Sequence, residues 1–313
     1  MPTALSGRRT RANLLLLLAS AIWGFAFVAQ RIGAEFIGPL SFNAVRFALG
    51  SLVVLAIIWW RSRSRRVPRE RRRLAWRATV VPGVAAGVLL AVASNLQQGA
   101  MSTVPAGNAA FITGLYLVFV PVIAAFRGHR SSLATVLGVI SSVIGLYLIA
   151  VTDAFTIGFG ELLLIISTLI WAAQILVIDH FGSKLSALRF AAVQFITCSV
   201  LSGLGALVLD PAPFVGLDKA VVPILYGGIL SVGIAFTLQV VGQRDALATH
   251  ASLIMAMESV FGAIGGALIL GESMGPRGYL GAALMVTGVV VSQLGAAAKA
   301  GHPDATGPAP AEG

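Results

Sequence analysis

Long apolar runs, broken by short polar or arginine-rich connections, recur ten times along the chain. They fall near residues 12–33, 38–60, 78–99, 104–126, 133–152, 160–180, 187–209, 219–241, 246–270 and 276–297. Each is close to the roughly 20 residues that an α-helix needs to cross a hydrocarbon core of about 30 Å. Stretches such as LLLLLASAIWGFAFVA do not alternate, which excludes the period-two pattern of a barrel strand. A backbone in lipid must satisfy its own hydrogen bonds. The pattern therefore predicts an all-α membrane protein of ten transmembrane helices.

The runs are related to one another. Trp23 matches Trp171 at an offset of 148, and Ala44-Val45-Arg46-Phe47 matches Ala192-Val193-Gln194-Phe195 at the same offset. Past the arginine-rich connection the offset is 142, pairing Leu96-Gln97 with Leu238-Gln239, Ala109 with Ala251, and Val118-Phe119 with Val260-Phe261. Gly138 and Gly145 recur as Gly281 and Gly288 with the same spacing. Five spans is an odd number, so a second copy enters the membrane inverted. The expected organisation is two inverted five-helix repeats, 12–152 and 160–297, an N-terminal segment 1–11 and a disordered tail 298–313. Inverted repeats are an architecture of secondary transporters, because two near-equivalent halves pack in two related ways of similar energy.

Composition agrees with the pattern: 57% of residues are hydrophobic, only 11% are charged, and the single Cys198 excludes a disulfide within the chain. Net charge +10 raises the question of nucleic acid, but the distribution of the charge answers it. Taking the N-terminus as cytoplasmic, eighteen Lys and Arg fall on that side, nine of them arginines between Arg61 and Arg77, against three on the other. The positive-inside rule then places both termini in the cytoplasm. The arginine segment is expected to anchor topology and touch anionic lipid, with no nucleic-acid partner. Arginines followed by an apolar run at 8–29 resemble a signal peptide, but Phe27 and Ala29 make a poor cleavage site and the repeat requires this helix. It is read as an uncleaved first span.

The stretch AGNAAFITGLYLVFVPV at 106–122, Trp23-Gly24, the Gly160–Trp171 pattern and Leu270-Gly271-Glu272 resemble the EamA family of the drug/metabolite transporter superfamily. The resemblance spans residues 12–297. It implies a ten-helix inner-membrane metabolite transporter with a central cavity for small solutes such as amino acids. Family members often carry Glu-Pro in span 9, where this chain has Glu258-Ser259, so a weaker kink is expected there.

Polar side chains inside spans are costly and so mark candidate function. Trp23, Tyr116, Trp171, Gln174 and Glu258 fall near span centres and form the expected substrate cavity. Arg46, Asn95, Gln97, Gln98 and Asn108 fall towards the outer ends, as an outer gate. Gln194, Thr237, Gln239 and His250 fall towards the inner ends, as an inner gate. Asn and Gln at such positions also serve as interhelical glue, and the tryptophans also suit packing. Glu258 lies ~18 Å along its span at ~1.5 Å per residue. Two roles are open for it: an ion pair with Arg46, or a carboxyl facing the cavity that exchanges a proton.

The pattern favours a secondary transporter of small organic solutes working by alternating access; the resemblance implies amino-acid-like metabolites, and export is favoured over import. Expected partners are the small-molecule substrate, membrane lipid and, if Glu258 is unpaired, protons; the chain is expected as a monomer or weak dimer. No cofactor or metal is expected. An intramembrane enzyme would need a mid-span Ser/His or paired-carboxylate site, and a channel a ring of repeated charges. Neither pattern is present in the sequence.

Overall fold

The computed structural model describes residues 2–64, 69–126, 128, 131–150, 158–182, 184–271 and 275–301. Ten helical elements account for almost all of them: α1 (Pro2–Gly33), α2 (Pro39–Ser64), α3 (Arg69–Ala100), α4 (Ala106–Phe126), α5 (Leu133–Ala150), α6 (Phe159–Gly182), α7 (Ala187–Leu209), α8 (Val221–Gly242), α9 (Ala248–Leu270) and α10 (Pro276–Gly301). Among the described residues there is no strand. Nine of these helices are long and apolar enough to cross a membrane; the apolar part of α5, Leu133–Leu148, is shorter. At ~1.5 Å per residue, the 18 described residues of α5 extend ~27 Å.

Several boundaries differ from those expected. Segment 1–11 is helical from Pro2 onward, α10 runs to Gly301 past the expected end at 297, and the arginine-rich connection is mostly helix, since α2 continues through Ser64 and α3 starts at Arg69. Arginine is a good helix former, so these helices continue as their side chains turn polar. The connection expected at 153–159 is described only from Gly158. Residues 65–68, Arg127, His129, Arg130, Glu272 and the tail from His302 lie outside the described residues.

Contacts at the helix ends establish the alternation of direction. Asn13 Nδ2 donates to Gln293 Oε1 at 2.9 Å, joining the start of α1 to the end of α10. At the opposite end Arg31 donates to the Met101 carbonyl, and Asp210 accepts from the Ser41 N–H and hydroxyl at 2.8 and 2.6 Å. One end of the bundle thus carries both described chain ends. Here the exposed Trp59 and Trp60 stand near exposed arginines, with the Arg63 guanidinium 3.7 Å above the Trp59 ring. Amphipathic indoles with arginines suit a membrane–water boundary.

Small residues allow the close packing. A Cβ at Gly83 would lie 2.7 Å from Val193, and one at Gly87 2.5 Å from Thr197, so α3 lies tightly on α7. Gly50 meets Val232 and Gly228 meets Leu49 between α2 and α8; Gly24 meets Phe261 between α1 and α9. Helices α5 and α10 touch backbone to backbone, where a Cβ at Gly138 would come within 2.5 Å of the Gly288 carbonyl.

Two helices are interrupted midway. Helix α4 breaks at Leu115, whose N–H bonds the Ile112 carbonyl at 3.2 Å, and resumes at Tyr116. Helix α9 breaks at Ala256-Met257, with tight bonds from Met257 to Ile254 and from Ser259 to Ala256, both 3.1 Å, and resumes at Glu258. The weaker kink expected without proline is not what the structure has: α9 is interrupted all the same. Ser259, in place of proline, donates its hydroxyl to the Ala110 carbonyl of α4 at 2.8 Å. Helix α8 contains an eleven-residue π-helical stretch, Tyr226–Phe236, and Gly266–Leu270 of α9 is a second. Their i→i+5 winding is rare and occurs often at functional sites.

Candidate functional site

The two breaks and the longer π-helical stretch meet at one cavity of about 50 Å³. Of the expected central residues, Trp23, Tyr116, Trp171 and Glu258 line it. Gln174 does not; it is fully buried one layer away, towards the end that carries the chain termini. Arg46, Gln97 and Gln239, expected in the flanking layers, reach the cavity wall.

Trp23 and Trp171 do not face each other directly. Phe236 stands between them, edge-on to Trp23 with centroids 4.7 Å apart and stacked on Trp171 at 5.7 Å. Both geometries are favourable for aromatic pairs. Phe47 and Phe195 extend the cluster, each 6.0 Å from Phe236. Each indole N–H reaches across to another helix: Trp23 Nε1 donates to the Ser231 carbonyl at 3.3 Å, and Trp171 Nε1 to Gln97 Oε1 at 3.0 Å.

Towards the end away from the termini the polar side chains form two hydrogen-bonded sets. Gln97 Nε2 donates to Gln30 Oε1 at 3.2 Å, and Gln98 Nε2 to the Gln30 carbonyl at 3.1 Å. Arg46 Nε donates to Asn43 Oδ1 at 2.7 Å; Asn43 Nδ2 bonds Asn95 Oδ1 at 2.7 Å, and Asn95 Nδ2 bonds Ser202 Oγ at 2.8 Å. The guanidinium of Arg46 also lies over the Phe47 ring at 4.9 Å, a cation–π geometry. Asn108, expected in this layer, is half-buried and outside the cavity wall.

Towards the termini, Gln174 Nε2 donates to Gln194 Oε1 at 3.3 Å, and Gln239 Nε2 approaches Gln174 Oε1 at 3.5 Å. All three are buried. Two residues expected beside them stand apart. Thr237 bonds its own helix at the Gly233 carbonyl, and the His250 ring contacts Thr135 Oγ1 at 3.2 Å, near the starts of α9 and α5.

Glu258 is 5% exposed, and its Oε1 has no hydrogen-bond partner; the carboxyl interacts with the Tyr116 phenol. No ion pair joins it to Arg46, which turns to Asn43 and the phenyl rings. Thr113 Oγ1 and Gln239 Oε1, also on the cavity wall, are likewise buried without partners. Buried polar atoms left unpaired are costly, and here three of them converge on one cavity.

Sequence reasoning did not single out Gln30, Asn43 or Phe236. The first two carried the same in-span amide signal as Gln97 and Asn95. Phe236 carried none, because its place depends on the π-helical winding of α8. Among the described residues no group of three His, Cys, Asp or Glu stands close enough to hold a metal ion.

Known proteins share this architecture. A solved crystal structure superposes with a TM-score of 0.75 at 20% identity, covering 93% of this chain and 99% of the other. An uncharacterized transporter from Archaeoglobus fulgidus is 25% identical over 92% of this chain and 87% of its own length. The uncharacterized transporter YoaV from Bacillus subtilis is 22% identical over 90% of this chain and 96% of its own. The EamA-like transporter family matches twice, over residues 10–151 and again over 158–293. With nearly every described helix inside those two matches, the chain is a multi-pass membrane protein that belongs to the EamA-like transporter family.

Proposed function

We propose that the chain is a secondary transporter that moves small amino-acid-like metabolites across the cytoplasmic membrane by alternating access, built from two inverted repeats, 12–152 and 160–297. The observation that carries this reading is the pair of buried polar layers that flank the cavity. Gln97, Gln98, Asn43 and Arg46 on one side are buried, and so are Gln174, Gln194 and Gln239 on the other. A channel needs a continuous wet path. A transporter requires a central site that both layers can seal, each opening in turn. A cavity of about 50 Å³ suits a few waters rather than a metabolite, so the site widens when a solute binds.

Three observations support the duplication. The family matches each half separately. The breaks at Leu115 and Met257 are 142 residues apart, the offset that pairs Tyr116 with Glu258. Packing of α3 on α6 is mirrored by α8 on α1, and α4 on α6 by α9 on α1. Under the positive-inside rule the end carrying Arg8 and Arg63 faces the cytoplasm.

Arg46 and Glu258 share the cavity wall without pairing. That arrangement suits a zwitterion, its carboxylate towards Arg46 and its ammonium or a competing proton at Glu258, with apolar parts against Trp23, Phe236 and Trp171. The test is purified protein in liposomes, offered a panel of radiolabelled metabolites with and without a pH gradient. Uptake of a solute that saturates, is blocked by excess unlabelled solute and responds to the gradient is the expected result; it also reads the direction, for which we infer export. Leak of unrelated ions in proportion to their gradients would instead mark a channel.

A further inference from the structure

At the end carrying the termini, away from the central site, a second cavity of about 390 Å³ opens between the start of α1 and the end of α8. Arg8 and Arg11 from α1 and Arg244 and Asp245 from just beyond α8 line it, over a floor that includes Ala12 and Leu15. Arg8 and Arg11 are three residues apart and so share a helix face. With one carboxylate against three guanidiniums, the cavity retains two positive charges.

The helices that carry the arginines pack closely beside the cavity. A Cβ at Gly242, the last residue of α8, would lie 2.9 Å from Leu16 and 3.2 Å from the Ala12 carbonyl, so the backbones of α1 and α8 are in contact one turn from the arginines. Like charges gathered around one cavity repel, and an anion bound between them relieves that repulsion. Planar guanidinium forks match the oxygens of a phosphate group, often in bidentate pairs. All four charged side chains are exposed, so the cavity is reachable from water.

We propose that this cavity binds a phosphate group, from free phosphate or from the headgroup of an anionic lipid, and that the bound anion fastens α1 to α8. Basic pockets between helices at a membrane surface have the charge for headgroups, and a free phosphate offers the same oxygens. Since α8 also carries Phe236 and Gln239, an anion here holds the helix that wedges the central cavity.

The experiment is thermal unfolding of the full chain in neutral-lipid nanodiscs. Three conditions are compared: sodium phosphate, sodium chloride at matched ionic strength, and nanodiscs containing phosphatidylglycerol. Binding to the folded state alone raises the midpoint with ligand concentration, here by about 2–4 °C. Two charge-matched variants accompany it: Arg8→Gln/Arg11→Gln/Arg244→Gln, and Arg71→Gln/Arg73→Gln/Arg77→Gln, whose arginines are also exposed. A rise with phosphate that only the first variant loses supports the site and identifies free phosphate as sufficient. A rise only with phosphatidylglycerol, lost in the same variant, supports the site and assigns the headgroup. A single Arg244→Gln variant, which must weaken the response, covers the case in which the triple variant unfolds. No rise beyond chloride in either arm, or equal loss in both triple variants, overturns the proposal.

Discussion

The indole N–H of Trp171 donates to the side-chain oxygen of Gln97 at 3.0 Å, tying the aromatic wall of the central cavity to the amide layer above it. Trp171→Phe keeps a ring in place and removes this donor. The Gln97 oxygen then loses a buried partner, at a cost of about 1–3 kcal/mol, which thermal unfolding reads as a lower midpoint. Transport falls as well if the layer seals the cavity. An unchanged midpoint would mean that Gln97 finds another donor.

Glu258→Gln tests the carboxyl that has no cation beside it. Because no ion pair with Arg46 exists to be broken, the variant folds with a midpoint near that of the parent protein. Glutamine has the shape of the protonated acid and cannot release a proton. Transport in liposomes is therefore expected to lose its response to a pH gradient. A response equal to that of the parent protein removes Glu258 from any coupling role.

Phe236→Ala removes the ring between Trp23 and Trp171. Large-to-alanine changes at buried aromatic sites cost about 3–5 kcal/mol, less where a neighbouring cavity already relaxes the packing. The enlarged space is expected to admit bulkier solutes, read as competition by larger analogues in the liposome assay. A narrower or unchanged solute range would mean that the ring is not a boundary of the site.

Packing of α5 on α10 makes a paired prediction. A Cβ at Gly138 would sit 2.5 Å from the Gly288 carbonyl, whereas one at Gly107 meets nothing within 4 Å. Gly138→Val should force the helices apart and cost about 1–3 kcal/mol or more. Gly107→Ala should stay within about 1 kcal/mol of the parent, since alanine is the better helix former. Midpoints in the reverse order would contradict the described contact.

Orientation is read with single cysteines. Cys198 is fully buried, so no labelling of it by an impermeant thiol reagent is expected. Gly7→Cys and Lys219→Cys place thiols at exposed positions on opposite ends of the bundle. Labelling of the Lys219 site in intact cells, with the Gly7 site labelled only after lysis, is expected from the positive-inside rule. The opposite result inverts the protein in the membrane.

Apolar run length located all ten helical elements, because burial in lipid demands it residue by residue. Mid-span position brought Trp23, Trp171, Tyr116 and Glu258 to attention, and all four line one cavity. Legibility ended where position depends on winding or on chain continuing past the apolar run. Thr237 had the same polar signal as Gln239, two residues apart, yet one bonds its own helix and the other reaches the cavity. Depth along a helix is written in the sequence; the azimuth of a residue after a π-helical stretch is not. His250 stands at the expected end but apart from the glutamines, since its contact is Thr135, a residue outside the pattern of matched positions.

That stretch of α8 has a consequence of its own. A turn closed by i→i+5 bonds holds one residue more than an α-turn, and Tyr226–Phe236 is wound in this way throughout. Returning a single such turn to α-helical spacing would swing everything beyond it by about 100°. Gln239 would leave the amide chain, and Phe236 would withdraw from between the indoles. Within α8 alone, such a change of backbone register would clear the space between the two tryptophans.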